Sequence, residues 1–389
     1  RPGTKMAASE QAPPNTFGVP WPPLNDGLRY TDVIRSADPA TTLIQFYSSK
    51  YTSSAPLQGW LQRIRNGQIT VDGQVAKDPE TTLRIGSVLV YNRLPWEEPC
   101  APYVLEVLYE DDEIVVLNKP SGLQVLPGGL FQQRTALTQL QWRACKTIAL
   151  SQTSGASAPK ESHPAPVHRL GRGTSGILLC AKTKHAKTQL ASYFAAGTSS
   201  VKETRNFHAD VETMRKIFKL YRALVTGIIK PDEVVIEQPI GVSNYPGVSK
   251  GLYVASSSGK PALSKVKVLE RDMQRDQTLV QVEIQTGRPH QIRIHLAFIG
   301  HPLVGDPLYV MGGHPNFFQS DSREDSFAED GGFCKPVKPV PGDCGYYLHA
   351  HKLVFCHPSK NTTIEITAPS PPMLQVQGEQ DQKSMEKRC

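Results

Sequence analysis

Three segments of this 389-residue chain gather cations, imidazoles and glycines at spacings suited to an anionic or aromatic ligand. The first, Asn118-Lys119-Pro120-Ser121-Gly122-Leu123, follows a predicted strand, and Pro120 with Gly122 forces a sharp turn at the strand end. The second, His168-Arg169-Leu170-Gly171-Arg172-Gly173-Thr174-Ser175-Gly176, is a glycine- and arginine-rich loop entering the apolar run Ile177 to Ala181. Such a loop lets a phosphate or a base come close to the backbone. The third, Thr286-Gly287-Arg288-Pro289-His290-Gln291-Ile292-Arg293-Ile294-His295, ends a strand and opens a helix, and helix N-termini favour anions. It continues as Gly300-His301-Pro302-Leu303-Val304-Gly305-Asp306-Pro307-Leu308-Tyr309. His168, His290 and His295 invite a general-base reading. Cys334, Cys344, Cys356, His349, His351 and His357 crowd one stretch, but their spacings match no common zinc pattern, and separately satisfied strand residues are the expected reading.

Composition narrows the partner. The chain is 39% hydrophobic and 20% charged, too apolar for a wholly disordered chain and too polar for a membrane protein. No run approaches the ~20 apolar residues of a spanning helix. Seven cysteines, an odd number without a CxxC pair, argue for reduced thiols. The N-terminal stretch shows no apolar signal core, so an intracellular setting is expected, cytoplasm or nucleus first, with an organelle also open. The formal net charge is +7, yet Lys160 to Lys230 alone holds 13 Lys+Arg against 4 Asp+Glu. A basic block in a nearly neutral body is the footprint of phosphate-backbone binding, and equally of a solvated charged face. Arg63 and Arg65 form a second, smaller cationic spot.

The elements that must position these segments are read from periodicity. Residues 1–42, rich in Pro, Asn and Gly, are expected as an extended arm. Leu57, Trp60, Leu61 and Ile64 recur at helical spacing, closed by Asn66-Gly67. Asp72-Gly73 between Ile69-Thr70-Val71 and Gln74-Val75-Ala76 predicts a tight hairpin, with a further strand from Ser87 to Tyr91. Residues 43–98 thus form a small module, and Pro95 to Pro102 a linker. Residues 103–372 read as a larger domain of strands with a few helices, among them His185 to Phe194 and the segment carrying Ile292, His295, Leu296 and Ile299. Ser151 to Pro164 and 312–345 are expected as surface insertions, and 373–389 as a polar tail. The fold class is α+β, with a mixed, mostly antiparallel sheet.

Together the three segments resemble those of the RluA family of RNA pseudouridine synthases, plant members included. The resemblance runs from about Val104 to Pro369 and takes in Leu220-Tyr221-Arg222-Ala223 and Leu348-His349-Ala350-His351. The 43–98 module resembles an S4 RNA-binding domain. The resemblance implies that a uridine in RNA, whether transfer, ribosomal or another structured RNA, is flipped into a pocket. Its glycosidic bond is cleaved there, and the uracil is rejoined through carbon 5 without metal or cofactor. It assigns ring stacking to Tyr221, pairing with a catalytic carboxylate to Arg293, and filling of the gap left by the flipped base to Arg169. Arg63, Arg65, Lys119, Arg172, Lys182, Arg288 and His290 are the expected RNA contacts. No histidine base belongs to this chemistry, so the three histidines read as structural.

One departure bears on the chemistry. Where the family motif has aspartate, this chain has Gly171, which can neither attack a sugar carbon nor take a proton. Arg172 leaves the loop positive with no carboxylate beside it in sequence, Asp210 is remote, and Asp306 belongs to a structural Gly-Asp-Pro turn. Three readings follow: a synthase whose carboxylate comes from elsewhere, a catalytically silent RNA-binding protein, or an S4-type adaptor in RNA assembly. Neither the oligomeric state nor the target uridine is legible.

Overall fold

The structure, a computed structural model, describes residues 15–36, 42–153, 163–199, 217–245, 248–315, 330–332, 343–360 and 362–379. The chain divides into two units. One comprises Arg1–Trp21, Cys100–Phe317 and Val340–Cys389, and the other Pro22–Pro99 and Phe318–Pro339.

The larger unit is built on a sheet of eleven strands among the described residues. Its central strand order is Leu105–Glu110, Ile114–Lys119, Ser175–Ala181, Leu348–Cys356, Ile217–Thr226, Gln277–Ile284 and Ser264–Asp272. All these pairs are antiparallel except Leu348–Cys356 with Ser175–Ala181, where His349 pairs with Ser175 and Ala350 with Gly176 in parallel. The expected mixed, mostly antiparallel sheet is the observed one. Ile177 to Ala181 is buried along its whole length, as a strand covered on both faces requires.

Helices cover the sheet. Lys184–Ser199 buries Ala186, Leu190 and Tyr193, one helical stripe, and extends the expected His185 to Phe194 segment at both ends. Gln291–Phe298 buries every residue from Gln291 to Ala297, so the third motif sits on a core helix. Ala136–Thr153 was not legible in the sequence. Its interspersed Thr and Gln hide a narrow stripe of Ala136 and Leu140, and Thr135 caps its start by accepting from Thr138 N at 3.2 Å.

The smaller unit has helices Leu43–Lys50 and Leu57–Arg65 and a sheet ordered Leu28–Val33, Val88–Arg93, Ile69–Val71, Gln74–Val75. The Asp72-Gly73 hairpin forms as expected, with both residues at positive φ. Phe46, Tyr47, Trp60, Ile64 and Leu89 make its core, with Tyr47 stacked on Trp60 at 4.4 Å.

Three expectations need correction. Residues 1–42 are not only an arm: Thr16–Phe17 pairs with Leu105–Glu110, and Leu28–Val33 pairs with Val88–Arg93. Alternating residues in Leu28–Val33 are too polar to announce a strand, and sheet pairing supplies what pattern does not. The 373–389 tail docks in its first part, because Leu374 is buried and Glu379 accepts from both terminal nitrogens of Arg222 at 2.6 and 2.8 Å. Of the expected insertions, 154–162, 316–329 and 333–342 lie outside the described residues, but the described ends of the second one pack. Asp330 O accepts from Arg63 Nε at 2.9 Å, and Asp343 enters the cleft described below.

Candidate active site

The three motifs meet at one end of the large sheet. The first motif holds the second. Ser121 Oγ donates to Gly173 O at 2.7 Å, Gly122 N to Arg172 O at 2.8 Å, and Lys119 Nζ to Arg172 O at 3.2 Å. Lys119 also donates to the carbonyls of Pro120 and Leu123 and is fully buried. The expected RNA contact is therefore corrected: Lys119 cannot reach a phosphate, and it ties the 119–123 turn to the 168–176 loop. Burial pulls its pKa from 10.5 down to about 7. Lys119→Met would leave the Pro120 and Leu123 carbonyls without a donor and Arg172 O with Gly122 N alone, and an unfolding midpoint measured in urea should report a loss of about 2 kcal/mol or more.

The second motif lines a cleft of about 680 Å³, within the ~300–1,000 Å³ of ligand pockets. Arg169 is exposed at this cleft, Arg172 is half-buried with its guanidinium 4.9 Å from the Phe131 ring, and Tyr221 faces it from the Ile217–Thr226 strand. Tyr221 is 9% exposed, and burial raises its pKa to about 12. Arg288 and His290 line the same cleft, Arg288 anchored by donation from Nε to Pro261 O at 2.9 Å. The cleft also takes in Lys219, Tyr253, Asp343 and Tyr346, which sequence reasoning missed.

Two further expected RNA contacts need correction. Arg63 is 3% exposed, lies 4.3 Å over the Trp60 ring, and donates to Ser54 Oγ and to the carbonyls of Ser54 and Asp330. It is a core cation of the smaller unit, whereas Arg65 on the same helix is exposed. Lys182 is outside the cleft, where it pairs with Glu110 at 3.1 Å and donates to Asp111 O. Of the basic block, residues 200–216 lie outside the described residues.

The third motif supplies the most constrained side chain. Arg293 is 2% exposed. Its Nε and Nη2 donate to the two oxygens of Asp306 at 2.7 and 2.8 Å, and its Nη1 donates to Asp343 Oδ1. Its guanidinium lies 4.3 Å from the Tyr346 ring and 5.0 Å from the Tyr309 ring. Burial alone would lower its pKa, but the bonds to Asp306 and the nearby acidic groups raise it. Asp306 also accepts from the backbone N–H groups of Leu308 and Tyr309. Both of its oxygens are engaged.

The histidines are structural in their bonding. His295 donates from Nε2 to Gln238 O at 2.8 Å and accepts at Nδ1 from Ser264. Tyr309 gives its single proton to Tyr253 O, so His290 Nδ1 donates to the Tyr309 oxygen at 2.9 Å. His168 Nε2 accepts from Leu179 N at 3.0 Å, and its ring stacks on Phe194. Burial drops the pKa of His168 from 6.5 to about 3, with Lys219 adding to it, and burial likewise drops His290, His295 and His349 to about 4. The unfolded chain takes up these protons near pH 6.5 and the fold only near 3 to 4. Between those limits the unfolded state binds more protons, so stability is complete above pH 6.5 and falls as pH drops through the window. Each group contributes up to about 1.4 kcal/mol per pH unit. Urea titrations from pH 7 to 4 should show this decline, and His168→Gln, which still accepts from Leu179 N without titrating, should flatten part of it.

The family model described as "RNA pseudouridylate synthase" matches residues 113–298, which contain all three motifs. RNA pseudouridine synthase 5 of Oryza sativa subsp. japonica is 61% identical over 380 residues, covering 96% of this chain and 95% of that one. The chain belongs to the RNA pseudouridine synthase family. A second member, RNA pseudouridine synthase 5 of Arabidopsis thaliana, is 62% identical over 371 residues, covering 94% of this chain and 99% of its own. Ribosomal large subunit pseudouridine synthase D of Pseudomonas aeruginosa is 34% identical over 322 residues, covering 82% of this chain and 84% of its own. Among the described residues of this family member, no helix is long and apolar enough to cross a membrane.

In this cleft, Gly171 and Gly173 permit a close approach rather than an unusual φ. A Cβ on Gly171 would stand 2.7 Å from the Tyr346 hydroxyl, and one on Gly173 would stand 2.6 Å from Asp343 O. The 343–346 segment therefore packs where side chains would otherwise be. Nothing in the sequence marks this approach, which is set by strand pairing. Parallel pairing of His349 with Ser175 runs the residues ahead of His349 alongside those ahead of Ser175.

Proposed function

We propose that the chain isomerises uridine in structured RNA, transfer or ribosomal RNA first among the classes, to pseudouridine in the cleft between Arg169, Tyr221 and Arg293. The observation that carries this reading is their convergence in one pocket, with an aromatic face, the exposed cation Arg169 and the buried guanidinium of Arg293. A stacked uridine must leave its helix to enter such a pocket. Tyr221 replaces the lost stacking on the uracil, and Arg169, exposed at the rim, occupies the space the base vacates. Arg172, Lys219 and Arg288 supply positive charge for the flanking phosphates. The reaction is an intramolecular transfer: the C1′–N1 bond breaks and a C1′–C5 bond forms within one nucleotide, so no redox partner or group donor is consumed. The smaller unit serves as an S4-like RNA-binding module, with Arg65 among its exposed cations, and the protein works inside the cell with its RNA substrate.

The test is to incubate the purified chain with total RNA from cells lacking the gene and to map pseudouridine by carbodiimide probing. Restored modification at discrete uridines is the expected result. RNA bound in a salt-sensitive manner with no site restored would reduce the protein to a silent binder, and no RNA affinity at all would remove both RNA readings.

A further inference from the structure

The motif position that should carry the carboxylate is Gly171, yet the cleft has a carboxylate. Asp343 Oδ2 lies 3.8 Å from where a Gly171 Cβ would stand. An aspartate's oxygens lie two bonds beyond its Cβ, so the Asp343 carboxylate lies beside the region that an aspartate at 171 would reach. The same group satisfies the loop: Arg172 N donates to Asp343 Oδ2 at 3.3 Å, and Arg293 Nη1 donates to Oδ1. Asp306 cannot take the role. Its side chain is 1% exposed, against 37% for Asp343, and its oxygens are engaged by Arg293, Leu308 and Tyr309.

We propose that Asp343, on the loop entering the Leu348–Cys356 strand, is the catalytic carboxylate of this cleft and stands in for the residue missing at Gly171. The assignment rests on the synthase reading above. Arg293 is held by Asp306 through two of its nitrogens, and its third points at Asp343, so it acts as the orienting countercharge. Tyr346, three residues on, covers the Arg293 guanidinium and hydrogen-bonds Thr174 at 3.2 Å. The carboxylate is thus set by the backbone of one motif and the side chain of another. In the step it performs, an Asp343 oxygen bonds to C1′ of the flipped uridine while the C1′–N1 bond breaks and its electron pair stays on N1. The uracil turns, C5 attacks C1′ and displaces the Asp343 carboxylate, the C5 proton is lost and N1 gains one. Atoms and charge balance without a further reactant.

The experiment uses the full chain and a pool of unmodified RNA transcribed in vitro from cellular templates. Pseudouridine is counted by nucleoside mass spectrometry under single-turnover conditions. Asp343→Asn should lower the rate about a thousandfold or more, while RNA affinity and melting temperature stay at wild-type values. Asp343→Ala is carried in parallel, so one misfolded variant does not close the question. If a folded variant turns over within tenfold of wild type, the assignment is overturned. It is overturned equally if rate, RNA affinity and melting temperature fall in step, since that marks a structural role. If wild type forms no pseudouridine, the synthase reading itself fails and takes the assignment with it, an outcome distinct from a wild type that is active alongside an active Asp343→Asn.

Discussion

Arg293→Met unfolds at markedly lower urea than wild type and forms no measurable pseudouridine. The expected stability loss is about 3–5 kcal/mol, the cost of leaving a buried charge without its partner. Asp306, 1% exposed at its side chain, keeps only two backbone donors once the guanidinium is gone. Asp343 loses its side-chain partner at the same time, so the cleft acquires two uncompensated carboxylates. Arg293→Lys separates charge from geometry. An ammonium retains the positive charge but not the planar fork that serves Asp306 with two nitrogens and Asp343 with the third. It should recover part of the stability and little of the rate. Chemical unfolding and single-turnover rates on the three proteins check this, and an Arg293→Met variant within about 1 kcal/mol of wild type would contradict the buried network.

Tyr221→Ala is the second large effect. Tyr221 is paired with Ala350 on one side and Val282 on the other, which fixes its side chain toward the cleft. Truncation removes a core aromatic, about 3–5 kcal/mol of stability, and the stacking surface for the uracil, about 1–3 kcal/mol per base. The rate on RNA should fall roughly 10- to 100-fold beyond any effect of unfolding. Tyr221→Phe keeps the ring and should stay within about threefold of wild type, since stacking is a property of the π-face. Tyr221→Leu fills volume without a π-face and should behave more like alanine in rate than in stability. A phenylalanine variant as impaired as alanine would move the role from the ring to the hydroxyl.

The contrast between Arg63 and Arg65 shows what sequence could and could not say. Both fall at a helix end, and charge counting treats them alike. Arg63 lies on the face that carries Trp60 and Ile64, so its guanidinium is drawn over the aromatic core, while Arg65 points outward. Lys119 is a similar case, a cation whose three N–H groups close a turn. Apolar strands such as Ser175–Ala181 and the Gln291–Phe298 helix were legible because apolar runs and helical spacing follow from burial, whereas Leu28–Val33 was not. Asp343 was not, since its relation to Gly171 is set by one parallel strand pair joining segments far apart in the chain. A glycine in a catalytic motif reads as a loss until the segment filling its space is known.

The most direct measurement follows the hydrogen on C5. That carbon must exchange its hydrogen for the bond to C1′, so RNA transcribed with [5-³H]uridine should release tritium in step with pseudouridine formed. The account predicts release by the wild-type chain despite Gly171, one tritium for each pseudouridine. RNA that is bound tightly and salt-sensitively, with no tritium released, would contradict it and leave the protein a binder on a synthase fold.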